Sequence, residues 1–161
     1  MNTAQLKAYA PAARTAFIAA VSSKARGLGI HPDRIEVPNR QGDIAIIGGQ
    51  PFPAHVLYGR NKLVEQVNAR GFDATMESVA YTWFNRFVAI RYMELHGYLD
   101  HGYRVLSHPE GRHHPEILDH ATDVELPGLD RGTAIELKLD GTKDEELYRL
   151  LIRAQCNALH V

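Results

Sequence analysis

The sequence has few of the features that mark disulfide-stapled, secreted or membrane-spanning proteins. Among 161 residues it has one cysteine, Cys156, which excludes a disulfide framework and a cysteine-based zinc finger. Its most apolar stretch, residues 79–95, carries two arginines, and each would cost at least ~2.5–3.5 kcal/mol at a bilayer centre. No signal-peptide pattern is present. We therefore predict a single-domain, soluble, cytoplasmic protein that makes no membrane contact.

The charges are unevenly distributed along a chain whose formal net charge is only −1. Residues 1–93 contain 11 basic and 6 acidic side chains, whereas residues 94–146 contain 5 basic and 13 acidic side chains. Residues 147–161 add two arginines and no acid. The near-neutral total therefore does not exclude a nucleic-acid-binding front half, and the acidic middle is a candidate surface for a protein partner.

The hydrophobic spacing predicts an α+β, mainly helical fold around one long helix, from about 73 to 96. This segment is apolar on nearly every side, so we expect a buried helix at the centre of the core. A first helix is expected to begin or kink at Pro11 and to end at Gly27. A second helix is expected from about 55 to 70. Residues 142–145, Thr-Lys-Asp-Glu, have the pattern of a capping box and predict the start of a last helix.

Short alternating segments predict the β-structure. Arg34–Val37 alternates in polarity and Ile44–Ile47 is apolar; the two are expected to form a hairpin, because the turn residues 39–43 separate them. Further short strands are expected at Tyr103–Leu106 and Ile135–Leu139. Proline is favoured in the first turn of a helix, so a short helix is expected near Pro115. These elements lie at the margin of the helical domain.

Five of the six histidines in residues 94–146 form a candidate zinc site. Imidazoles at such intervals can ligate zinc, with Glu110, Glu116 or Asp119 completing a site. However, the chain has no HExxH motif, and the neighbouring histidines 113 and 114 would point in different directions. We therefore assign no metal ligand, and a zinc site remains the alternative. The histidines are His101, His108, His113, His114 and His120.

Basic side chains are the candidate contacts with DNA or with a neighbouring domain. Four lie on the first helix, where exposed cations could hold phosphate groups without sequence preference. Two arginines lie on the long apolar helix. Buried guanidinium groups need partners there, so a structural pairing with acids is the alternative interpretation. The six residues are Lys7, Arg14, Lys24, Arg26, Arg86 and Arg91.

Residues 77–94, which read Glu-Ser-Val-Ala-Tyr-Thr-Trp-Phe-Asn-Arg-Phe-Val-Ala-Ile-Arg-Tyr-Met-Glu, resemble a known family. The run is similar to the start of the adenine-specific DNA methyltransferases of the BREX phage-defence systems, the PglX family. The segments Tyr9-Ala10-Pro11, Arg104-Val105-Leu106-Ser107 and Leu150–Asn157 also resemble this family, in the same order. The resemblance therefore extends over essentially the whole chain.

The resemblance implies an enzyme that transfers a methyl group from S-adenosylmethionine to adenine in double-stranded DNA. It also implies two kinds of partner, the methyltransferase domain of the same polypeptide and other defence-system proteins. The family's Asn/Asp-Pro-Pro-Tyr/Phe tetrapeptide and its glycine-rich cofactor motif are both absent from the 161 residues. No catalytic or cofactor-binding residue can therefore be assigned.

We interpret residues 1–161 as a single N-terminal helical domain that ends just before an S-adenosylmethionine-binding domain. The expectation rests on the missing motifs and on a last helix that ends in apolar residues without a glycine cap. The expected role is a non-catalytic module that docks onto the catalytic domain and embraces DNA. The alternative is a stand-alone regulatory or protein-interaction module without enzymatic activity.

Overall fold

The computed structural model describes residues 3–159, with side chains from residue 9 onwards. This range contains five α-helices, one short 3₁₀ helix and one antiparallel sheet of three strands in the order β1-β2-β3. The predicted α+β, mainly helical fold class is confirmed. The α-helices are α1 (Thr3–Gly27), α2 (Val56–Arg70), α3 (Phe72–His96), α4 (Arg131–Asp140) and α5 (Asp144–Ala158). The strands are β1 (Asn39–Gln41), β2 (Ile44–Ile47) and β3 (Gln50–Pro53), and the 3₁₀ helix spans Glu116–Leu118.

The residue contacts divide the chain into two compact units, residues 1–84 and 85–161, with the boundary inside α3. Each unit has its own set of buried apolar side chains. The expectation of a single domain stays a prediction. The first unit's core contains Ala25, Ile30, Val67, Phe72 and Met76. The second unit's fully buried side chains include Ile90, Val105, Ile117, Val124, Leu147 and Leu151.

The end of α1 fixes the first unit's loop. The helix includes Pro11 and ends at Gly27, and the left-handed Gly29 follows at φ +68°. A Cβ on Gly29 would lie 2.8 Å from Cγ2 of Ile47 and 2.9 Å from Cβ of Glu36. Only glycine fits both this φ and this space.

The sheet differs from the predicted hairpin in its first strand. β2 lies where it was predicted, but its partner is β1, with Asn39 opposite Ile46, and not Arg34–Val37. Arg34–Val37 instead lies against the turn after α1, where the Glu36 amide donates to the Gly29 carbonyl at 2.8 Å. The turn to β2 uses Gly42 at φ +60°, so residues predicted as a turn also supply a strand.

Helices α2 and α3 lie where they were predicted, but α3 is not buried on nearly every side. Five of its large apolar side chains are exposed, from 39% for Phe84 to 67% for Tyr81. They follow one another at steps of three or four residues, so they form a stripe along the helix surface. The expectation of an all-round buried helix is therefore wrong, since high apolar content does not by itself show which faces are covered. The exposed residues are Tyr81, Phe84, Val88, Tyr92 and Leu95.

Two of the predicted strands are absent from the second unit. Tyr103–Leu106 is irregular, because the amides of Val105 and Leu106 donate to a side-chain carboxylate, that of Glu94, and not to a neighbouring strand. Residues 135–139 belong to helix α4, since five residues of alternating polarity do not separate a strand from a short helix. The short helix expected near Pro115 is confirmed as the 3₁₀ helix.

The last helix, α5, is confirmed, but its predicted capping box is wrong. The N-cap residue is Lys143, which makes no side-chain cap hydrogen bond. The Thr142 hydroxyl donates to Asp140 instead. One face of α5 is apolar and buried, and it includes Leu147, Leu151 and Ala154.

Helix α4 has a true N-cap, which supplies a first test of the fold. The Asp130 carboxylate accepts hydrogen bonds from the amide of Thr133 at 3.3 Å and from its hydroxyl at 2.8 Å, which lowers the pKa of Asp130. Asp130→Ala is expected to lower the thermal midpoint by about 2–4 °C, because an N-cap is lost. Asp130→Asn should retain most of the midpoint, and an unchanged midpoint in the alanine variant would contradict the assigned cap.

Candidate functional site

The basic residues of α1 do not form one continuous stripe. Arg14 makes an ion pair with Glu77, and both side chains are more than half exposed. Lys24 and Arg26 are two residues apart, which separates them by about 160° around the helix axis. The Arg26 guanidinium lies 5.7 Å from the centroid of the Phe72 ring, in a cation–π contact. The side chain of Lys7 lies outside the described part of the chain.

The two arginines of α3 are both engaged within the second unit. Arg91 donates to the Glu94 carboxylate and, at 2.8 Å, to the hydroxyl of Ser107. Arg86 is half-buried and acts electrostatically on Cys156. Burial raises the pKa of the Cys156 thiol, and Arg86 partly opposes this shift. The Arg91 contacts agree with a structural pairing with acids, whereas a role in binding DNA stays a prediction for all six basic residues.

Glu94 is a fully buried carboxylate that organises the loop after α3. Its Oε2 accepts the amides of Val105 at 2.9 Å and Leu106 at 2.8 Å, and its Oε1 accepts the Ser107 hydroxyl at 3.0 Å. With Arg91 as a fourth donor, the carboxylate holds the irregular segment against the helix. The sequence carried one signal of this role, since Glu94 is the only acid in the apolar run 79–95.

The first unit has an apolar groove of about 500 Å³ between α1 and the first part of α3. The rings of Phe17 and Phe84 meet edge to face, with their centroids 5.8 Å apart. Small side chains form part of the lining, and the Arg14–Glu77 ion pair is also part of it. The remaining lining residues include Ala10, Ile18, Ala74, Ser78 and Tyr81.

The structure brings together three of the predicted metal-binding candidates, His108, His114 and Asp119. Nε2 of His114 lies 3.1 Å from each oxygen of Asp119. Nε2 of His108 lies 3.5 Å from Oδ2 of the same carboxylate. The two imidazole centroids are 5.5 Å apart. We call these three residues the His–His–Asp cluster.

The other members of the histidine group are directed elsewhere. His101 shares a 2.9 Å hydrogen bond with Gln155, His120 stacks on Tyr103 with centroids 3.8 Å apart, and His113 is exposed. The spacing in the sequence did not distinguish these residues from the cluster, because all of them lie between α3 and α4. The path of the backbone between α3 and α4 decides which of these side chains converge.

The charge around Asp119 is predominantly positive. Its hydrogen bond to His114 is the main cause that lowers the pKa of Asp119, and the charges of His114, Lys138 and Arg112 act in the same direction. Nη1 of Arg112 lies 3.5 Å from Oδ2 of Asp119, and Nη2 of Arg112 lies 2.7 Å from Glu110. The carboxylate is therefore held ionised at neutral pH.

The glycine pair of the first unit does not fit the glycine-rich loop of a cofactor site. The Gly48-Gly49 pair joins two antiparallel strands, β2 and β3, whereas a cofactor loop of the glycine-rich type leads from a strand into a helix.

None of the helices in residues 3–159 is both long and apolar enough to cross a membrane.

Comparison with known proteins gives two related sequences, although no protein-family model matches the chain. The chain is 46% identical over 167 residues to "Adenine-specific methyltransferase BrxX" of Escherichia coli O9:H4 (strain HS). It is 33% identical over 180 residues to "Adenine-specific methyltransferase PglX" of Lacticaseibacillus casei (strain Zhang). Both matches include 99% of this chain, but it spans only 14% and 15% of these relatives. The resemblance to adenine-specific methyltransferases is confirmed.

Proposed function

We propose that this chain, a homologue of part of two adenine-specific methyltransferases, is the N-terminal part of a site-specific adenine DNA methyltransferase of a BREX phage-defence system. Its role in such an enzyme is that of a non-catalytic module that docks onto the catalytic domain and embraces DNA. One observation carries the proposal: 99% of the chain aligns with 14% of BrxX. The missing catalytic tetrapeptide supports it.

The apolar groove of the first unit supports the docking role. Tyr81 is 67% exposed and Phe84 is 39% exposed, and both line the groove. Contiguous exposed apolar surface is typical of protein interfaces, because its burial removes it from water. The occupant in our proposal is another segment of the same polypeptide. A linked segment reaches an effective concentration in the millimolar range, so even a weak contact suffices.

DNA and S-adenosylmethionine enter the proposal mainly through the rest of the enzyme. Arg14 and Arg91 are already paired with acids, so they would give up an ion pair to hold a phosphate. Lys24 is exposed and has no ion pair within the described residues. Its contribution is sequence-independent and decreases as the salt concentration rises.

A graft into a complete relative tests the docking role. The chain replaces the matching 14% of E. coli BrxX, and methyl transfer to duplex DNA is measured with labelled S-adenosylmethionine. The graft is expected to methylate DNA, whereas the isolated chain transfers nothing. The double change Tyr81→Ser and Phe84→Ser should lower the activity of the graft at least tenfold, a loss equal to 1.4 kcal/mol.

Tyr58 supplies the matched control, because it is 71% exposed but lies on α2 outside the groove. Tyr58→Ser should leave methylation by the graft unchanged. Methylation by the isolated chain would contradict the non-catalytic role. Equal losses from the groove variant and from Tyr58→Ser would contradict the groove as docking surface. An inactive graft containing the unaltered chain would favour the stand-alone regulatory module.

A further inference from the structure

We propose that the His–His–Asp cluster binds a divalent transition-metal ion of the zinc class. His108, His114 and Asp119 each supply one ligand atom, and a water molecule takes the fourth position. Nothing in the methyltransferase role requires this site, so the proposal is independent of the proposed function. Sequence spacing predicted no metal ligand here, and the convergence of the three side chains is a result of the structure.

The separations between the ligand atoms match tetrahedral zinc coordination. Zinc–nitrogen and zinc–oxygen bonds are about 2.0–2.2 Å long, so neighbouring ligand atoms around a tetrahedral ion lie roughly 3.3–3.5 Å apart. The two contacts measured to Asp119 are 3.1 Å from His114 and 3.5 Å from His108. All three ligand atoms lie within 4.8 Å of one another. When an ion enters, the two distances to Asp119 therefore need to change by only a few tenths of an ångström, and the separation of the two imidazole nitrogens by no more than about 1.5 Å.

The choice of ion follows from the ligand types. Two imidazoles with one carboxylate suit zinc, iron or nickel, whereas magnesium and calcium prefer sites made entirely of oxygen. Three protein ligands leave one coordination position for water. The side chain of His108 is 6% exposed, and those of His114 and Asp119 are 43% and 35% exposed, so the ion would be reached from one side.

The position of the cluster in the chain gives the ion a structural role. Residues 97–115 contain no helix or strand, and His108 lies within this segment. His114 lies near its end, while Asp119 directly follows the 3₁₀ helix. A shared ion would tie the irregular segment to the 3₁₀ helix, and the binding free energy would then contribute to folding.

Two existing contacts compete with the ion and make the proposal testable. Arg112 lies 3.5 Å from Asp119 and adds a positive charge beside the site. Nδ1 of His108 accepts the Glu110 amide at 3.1 Å, so the proton of the neutral ring resides on Nε2. Coordination through Nε2 moves this proton to Nδ1, and the Glu110 amide must then release its acceptor.

The experiment uses the whole chain without a histidine tag, after treatment with a chelator. Titration with Co²⁺ is followed by visible absorption, and Zn²⁺ then displaces the cobalt. We expect one ion per chain and absorption bands typical of four-coordinate cobalt. His114→Ala and Asp119→Asn should each weaken binding by more than about tenfold, since even a residue that only hydrogen-bonds to a metal ligand contributes about that much.

His113→Ala is the matched control, because His113 adjoins His114 in sequence but is exposed outside the cluster. This variant should bind cobalt like the unaltered chain. Arg112→Gln should bind several-fold more tightly, because a competing cation is removed. Saturation with zinc should also shift the Glu110 amide resonance and raise the thermal midpoint.

Three results would overturn the proposal. They are the absence of cobalt bands, equal losses in His113→Ala and His114→Ala, and weaker binding in Arg112→Gln. The last would mean that Arg112 supports the arrangement and does not compete with the ion. Circular dichroism of each variant separates a lost ligand from a lost fold.

Discussion

Replacement of Glu94 by alanine is expected to lower the free energy of unfolding by about 3–5 kcal/mol, the cost of breaking a buried charged network. The side chain is fully buried, and its two oxygens accept four hydrogen bonds. Alanine leaves the buried Val105 amide and the half-buried Leu106 amide without an acceptor. Each buried donor that loses its partner costs about 1–3 kcal/mol, so the backbone amides account for most of the effect.

Two further variants separate the carboxylate from its ion pair. Arg91→Ala removes the pair, but the Arg91 side chain is 47% exposed, so the expected loss is below about 1 kcal/mol. Glu94→Gln keeps one acceptor oxygen and adds two donors, so its expected stability lies between that of Glu94→Ala and the unaltered chain. The measurement is urea denaturation, together with hydrogen exchange at the Val105 and Leu106 amides. Equal losses for Glu94→Ala and Arg91→Ala would contradict the assigned role of the carboxylate.

The extent to which the fold could be predicted depends on how local its determinants are. α2 and α5 have apolar residues at helical spacing over 15 residues, and α3 is a long apolar segment. α2 and α3 are each followed by a glycine with positive φ, Gly71 or Gly97. Their existence was therefore predictable. The segment 103–106 has the local composition of a strand, but its amides bond to Glu94, a partner about ten residues away in the chain. No local pattern records that partner.

The candidate sites show the same limit. The six basic residues could be named from the sequence, but the partners of Arg14, Arg26 and Arg91 depend on the tertiary structure. The groove was also not predictable, because an exposed tyrosine and a buried one have the same place in an apolar pattern. The family resemblance could be predicted from the sequence, since it rests on the identity of residues 77–94 and not on their surroundings.

Arg60 is a buried charged residue of the first unit, as Glu94 is of the second. Its replacement by methionine is expected to destabilise the chain by about 2–4 kcal/mol. The residue is 4% exposed. Its Nε donates to the Leu28 carbonyl at 2.7 Å, and Nη2 donates to the Glu36 carbonyl. Burial lowers the pKa of the guanidinium, and Glu36 opposes this shift, so Arg60 remains charged at neutral pH. Methionine fills the space but leaves both carbonyls without this donor.

Arg60 could stabilise the chain through its two hydrogen bonds or through its positive charge alone, and a lysine variant distinguishes these two contributions. Lysine retains the charge but presents a single nitrogen on a flexible stem, so Arg60→Lys should recover less than half of the stability lost in Arg60→Met. Lys62→Met is the control on the same helix, because Lys62 is exposed and lies over the Tyr58 ring at 4.4 Å. Its urea midpoint should match that of the unaltered chain. Full recovery of the lost stability by lysine would show that the charge suffices. Partial recovery would support the two hydrogen bonds of the guanidinium, which join α2 to both ends of the segment between α1 and the sheet.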